Sequence, residues 1–274
     1  MTAGNGAQVP LPAAAHPVGN PPQGTATRES LEEAVIRAAL GFHPRPAVDL
    51  YKCASDLGVV EVRTAERVDG YTDFTGPAPI IYLSQAANPA RMRFTFAHEL
   101  AHVMVRTNDC ERAGGHKLAT ARQLDEERLA DRIAASLLVP KDWVRALAEA
   151  GITWPHLHRM CMTARVSHSM LVTRLSAEGY PTGLLRWRRG PHGWILMSRP
   201  GAPKYLHGRV ELGQACQAVI DETAAGLTEV TLDLDVRGER MLLPGSLRRN
   251  GDNASLLFNS THLRRDRASA QPLT

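Results

Sequence analysis

His98-Glu99-Leu100-Ala101-His102 combines residue types and a spacing that can do chemistry. Two histidines stand four apart, and a glutamate directly follows the first. On a helix, residues four apart share a face, so both imidazoles aim at one point. Glu99 lies about 100° round the helix, within reach of a water held at that point. A zinc ion with three protein ligands and one open position acidifies its water, and a neighbouring glutamate takes the proton and passes it on. The chemistry this pattern predicts is hydrolysis of a peptide bond.

The pattern is short and also arises by chance, so its flanks matter. Phe94, Phe96, Ala97, Leu100, Ala101, Val103, Met104 and Val105 surround the helix almost completely, which predicts burial. Two histidines and a glutamate in a buried helix are costly unless hydrogen-bonded or metal-bound. Asn88 is placed to cap the helix, and Pro89 suits its first position.

The centre needs a third protein ligand. An H-x-x-G-x-x-H extension would require glycine and histidine where the chain has Val105 and Asn108, which excludes that class. The next helix, read from about Ala121 to Val139 and stopped by Pro140, offers Asp125, Glu126, Glu127 and Asp131. Glu126 and Glu127 both fall within its apolar arc, so periodicity does not choose between them. Spacing favours Glu127. Asp131 lies four residues on, so a ligand and a carboxylate orienting a histidine would share one face. Asp125 and Glu126 also suit a solvated acidic helix start.

These segments resemble the ImmA/IrrE family of metallopeptidases. The run from Arg93 to His102 is similar to that family's metal helix. The run from Glu127 to Pro140 is similar to its second signature, a glutamate-bearing helix ending in Leu-Leu-x-Pro. The resemblance covers about Ser30 to Tyr180. It implies a gluzincin-type zinc peptidase with His98, His102 and Glu127 as ligands and Glu99 as general base. It also implies a substrate, a transcriptional repressor carrying a helix-turn-helix whose cleavage releases stress-response or mobile-element genes. Asp131 stands where the family commonly has Asn, and Ile133 where Phe is usual.

The elements that must position these residues read as an α+β order. Residues 1–28 form a leader rich in Pro, Gly, Ala and Thr. The expected zincin-type peptidase core spans 29–152. It opens with a helix from Ser30, whose apolar side is Ala34, Val35, Ala38, Ala39 and Leu40, and a second helix runs to about Leu57. Three strands follow, at Val59–Val62, Gly70–Phe74 and Pro79–Leu83. An extended substrate is expected to add to the last of them, at Ile80, Ile81 and Tyr82. Tyr71 or His116 is a candidate oxyanion donor.

Residues 153–182 resemble a helix-turn-helix, with Val166 in the turn and Ser167 capping a second helix. In a DNA reader, His168, Ser169, Thr173 and Arg174 of that helix would face the groove. Basic charge is sparse for that role, and packing on the peptidase core is the simpler reading. Residues 183–262 read as a small α+β unit with strands near Arg186–Arg189, Trp194–Met197, Val230–Val236 and Ser255–Phe258 and a helix over Gly213–Glu222. Residues 263–274 read as a frayed tail.

Composition bounds the rest. A chain of 274 residues, 43% hydrophobic and 22% charged, is ordinary for a globular protein with real cores, and a net charge of +4 does not demand a nucleic-acid partner. Cys53, Cys110, Cys161 and Cys216 form no C-x-x-C pair, which suits a reducing cytoplasm. Neither a signal peptide nor a membrane span is read. The expectation is a cytoplasmic zinc endopeptidase, with manganese or iron as other metals such donors accept. The rival is a DNA-binding regulator with a structural metal, for which Cys110 or His116 would supply a fourth ligand.

Overall fold

The computed structural model describes residues 48–265, apart from residues 67, 86, 114–122, 204–205, 207–209, 213, 224–225, 237–238 and 263. The leader, the helix expected from Ser30 and His116 lie outside the described residues, as does the Cys110 side chain. Among the described residues the fold is mixed α+β, with two sheets. No described helix is long and apolar enough to cross a membrane.

Helix α1 (Leu50–Asp56) is capped by the Asp49 carboxylate, which accepts the Tyr51 and Lys52 N–H groups. Three strands follow: β1 (Glu61–Ala65), β2 (Gly70–Asp73) and β3 (Ile80–Ser84). Their order is β1-β3-β2, with β1 parallel and β2 antiparallel to β3. The first strand starts two residues later than its apolar run suggests, because Val59 turns into the core while Val60 stays exposed. Ile81 and Leu83 bury one face of β3 against α2 (Pro89–Ala113).

Helix α2 begins as its sequence reads, with the Asn88 side chain accepting the Arg91 N–H at 3.0 Å. Ala97, Leu100 and Ala101 are fully buried. Helix α3 (Gln123–Leu138) packs along α2 through Ala130, Ile133, Ala134 and Leu137. Helix α4 (Lys141–Glu149) follows, then α5 (Trp154–Ala164) and α6 (His168–Ala177). Arg165, in the left-handed region at φ 56°, closes α5, and Ser167 caps α6.

The C-terminal part is an antiparallel sheet of β4 (Thr182–Gly190), β5 (Gly193–Ser198), β6 (Val210–Leu212), β7 (Gly226–Val236), β8 (Glu239–Asn250) and β9 (Asn253–Asn259), in the order β5-β4-β9-β8-β7-β6. Helix α7 (Gln214–Glu222) covers it through Cys216 and Ile220. The sheet is joined to the helical part. Leu184 and Leu257 belong to the first core, and the Trp154 indole N–H donates to the Ser246 carbonyl at 2.7 Å. Strand β8 escapes a reading by alternation because Pro244 interrupts it. That proline sits at the gap between the β9 pairing, from Ser246 onward, and the pairing with β10 (Arg264–Arg265) at Met241 and Leu242. Arg264 and Arg265, expected in the frayed tail, therefore carry strand pairing.

The second helix of the helix-turn-helix-like pair packs on the rest of the protein, as the simpler reading of its sequence expected. Arg174 is buried, ion-paired with Glu178 and hydrogen-bonded to the Val139 carbonyl at 3.3 Å. The His168 ring lies against those of His158 and Trp154, and the Ser169 hydroxyl accepts from Arg186 of β4. The would-be reading face is thus spent on packing, leaving Thr173 exposed. Arg174→Ala is expected to cost about 3 kcal/mol in chemical denaturation, because it strands the Glu178 carboxylate. Thr173→Ala should stay within about 0.5 kcal/mol.

Candidate metal centre

Helix α2 presents His98 and His102 one turn apart toward α3. Their Nε2 atoms are 3.1 Å apart. The Glu127 carboxylate completes the group, with Oε2 at 3.2 Å from His98 Nε2 and Oε1 at 3.5 Å from His102 Nε2. Four tetrahedral donors about 2.0–2.2 Å from a zinc ion would stand about 3.3–3.5 Å apart. The spacings of 3.1 and 3.2 Å about His98 Nε2 come close to that shape, while the 3.5 Å contact to His102 is made by the other Glu127 oxygen.

Hydrogen bonding decides what these atoms can be. His98 Nδ1 lies 2.9 Å from Asp131 Oδ1, and His102 Nδ1 lies 3.3 Å from Glu126 Oε1. Each carboxylate accepts, so each ring donates from Nδ1 and keeps a lone pair on Nε2. Two imidazole lone pairs and an acceptor-only carboxylate then face one another. Such a cluster holds together only around a cation or extra protons. His98, His102 and Glu127 thus form a donor set that can hold a metal ion. Asp131, four residues after Glu127, lies against the His98 ring.

Glu126, which the sequence left as part of a solvated helix start, is instead the partner of the second histidine. The signal for it was available: Glu126 lies within the apolar arc of α3, beside Glu127. Electrostatics at His98 run in two directions. Burial acts against its charged form, but the hydrogen bond and charge of Asp131, with Glu99 and Glu127, outweigh it and raise the His98 pKa above its ordinary value.

Glu99 lies at the same end of the sheet and is 6% exposed. Its Oε2 accepts a 2.7 Å hydrogen bond from the Thr72 hydroxyl of β2. Side chains alternate along a strand, so Gly70 and Thr72 face α2 while Tyr71 faces away. Tyr71 stacks on Tyr82, ring centroids 4.5 Å apart, which removes it as an oxyanion donor at this centre. The expected substrate edge also needs correcting. Strand β3 is paired on both sides, so Ile80, Ile81 and Tyr82 offer no free backbone, and Ile81 is fully buried. Among the described residues, the open edge beside Glu99 is β2.

Residues 55–176 match the family model described as the IrrE N-terminal-like domain, a peptidase family. This segment of the chain is similar to an IrrE N-terminal-like domain. The match contains β1 to β3, the metal helix, α3 and almost all of α6, so every residue of the donor set falls within it. A solved structure of a Mycobacterium tuberculosis transcriptional regulator is similar in fold, with a TM-score of 0.53 and 15% identity over 85% of this chain and 77% of that one. A search of curated proteins finds no match.

Removing an orienting carboxylate should weaken metal binding without removing a donor. Asp131→Ala and Glu126→Ala are each expected to lower zinc affinity about 10–100-fold in competition with a chromophoric chelator. Zinc must displace the His98 proton, so affinity should fall as pH drops through the raised His98 pKa. In Asp131→Ala that fall should move to lower pH, because the largest contribution raising the pKa is gone.

Proposed function

We propose that this chain is a zinc-dependent endopeptidase acting on a regulatory protein, most simply a helix-turn-helix repressor, inside the cytoplasm. One observation carries the reading: donor atoms of His98, His102 and Glu127 lie together, and Glu99 is near enough for its charge to act on His98. Glu127 and Asp131 remain about half exposed, at 52% and 59%, which supports an open centre over a closed structural site.

His98, His102 and Glu127 would hold the metal, with Asp131 and Glu126 keeping both rings in the ligating tautomer. A zinc ion bound there supplies Lewis acidity to the scissile carbonyl and to an attacking water. Glu99 takes the proton of that water as it attacks the carbonyl carbon, then delivers it to the leaving amine as the C–N bond breaks. An extended substrate segment would pair with the free edge of β2, which brings its backbone alongside Glu99. The repressor as substrate rests on the resemblance of the two signature segments. The internal contacts of Arg174 and Ser169 weigh against the DNA-binding reading.

The test is Glu99→Gln in the full chain, incubated with the repressor encoded nearest its gene and read by fragment mass. Metal content should be unchanged and cleavage reduced about 10²–10⁴-fold. Undiminished cleavage by Glu99→Gln would overturn the mechanism.

A further inference from the structure

The general base is aimed by a strand rather than by its own helix. Glutamate has three rotatable bonds, and a helix backbone alone leaves its carboxylate free to turn. Here one of its oxygens is held from β2. Oε2 accepts from the Thr72 hydroxyl at 2.7 Å. Oε1 lies over Gly70, where an added Cβ would come within 3.5 Å of it and within 2.4 Å of Thr95 Cγ2 on α2. A side chain at position 70 would therefore crowd Thr95, and either that residue or β2 would have to shift. The absence of one lets the strand approach closely enough for Thr72 to reach Glu99.

We propose that Thr72 and Gly70 are positioning residues for Glu99, Thr72 locking the carboxylate by its hydroxyl and Gly70 setting the depth of β2. A hydroxyl that donates to Oε2 leaves Oε1 as the oxygen available to an attacking water. The same strand offers its outer edge to the substrate. Pairing of a peptide with β2 therefore registers its backbone against the base through Thr72, and slack in this strand misaligns both. This inference rests on the peptidase reading and adds to it the device that orients its base.

The experiment compares the full chain with Thr72→Val, Thr72→Ser, Gly70→Ala and Glu99→Gln, each loaded with cobalt(II) in place of zinc. Visible absorption is read alongside cleavage kinetics. Thr72→Val is nearly isosteric and lacks the hydroxyl. It should bind one equivalent of cobalt, shift the cobalt bands toward those of Glu99→Gln, and lower kcat about 10–100-fold with little change in KM. Thr72→Ser should return both the spectrum and kcat to near the unsubstituted values, which a purely packing role for Thr72 would not produce. Gly70→Ala should shift the spectrum as Thr72→Val does. A Thr72→Val protein with an unshifted spectrum and unchanged kcat overturns the inference while leaving the peptidase reading intact. No cobalt bands in the unsubstituted chain would overturn the metal-centre reading, and this inference with it.

Discussion

Everything at this site depends on the antagonism of three acceptors brought to within bonding distance of one another. Packing α3 on α2 buries apolar surface at Leu100, Ile133 and Leu137, and that packing forces two imidazoles and a carboxylate together. The rings cannot relieve the strain by turning their N–H groups inward, since Asp131 and Glu126 claim them from outside. The hydrophobic effect thus holds in place an arrangement that a cation, or a proton on His98, relieves.

The layered order explains why the parts lie where they do. The small sheet supplies strands on one side of α2, and α3 supplies carboxylates on the other. Glu99 faces the sheet while His98 and His102 face α3, as the roughly 100° step between successive residues requires. The base and the ligands therefore answer to different elements: the base is tuned by β2, the ligands by α3. Behind α3, Arg174 of α6 is spent on the Val139 carbonyl and Glu178, so that helix supports the centre rather than presenting a surface.

Much of this was legible in the sequence because helices declare themselves locally. The spacing of His98 and His102, the Asn88 cap, the acidic turn followed by Leu137-Leu138-Val139-Pro140, and the partnership of Glu127 with Asp131 all follow from a 3.6-residue repeat. What escaped is what depends on pairing between distant segments. That β3 lies inside its sheet, and so is no substrate edge, is settled by β1 and β2 flanking it, which no local pattern encodes. Thr72 carries no mark of function in isolation, and only the approach of β2 to α2 gives it one. Glu126 was ambiguous for a different reason: a carboxylate in the first turn of a helix is favourable with or without a partner. Strand β8 was hidden by Pro244, whose cost is avoided at a gap between two neighbouring strands.

X-ray absorption of the zinc-loaded full chain tests the central claim most directly. A first shell of light atoms at about 2.0–2.1 Å is expected. Outer-shell scattering should indicate two imidazoles, and both features should be altered or lost in Glu127→Ala. A sulfur scatterer near about 2.3 Å, or a zinc shell unchanged when Glu127 is removed, would contradict it.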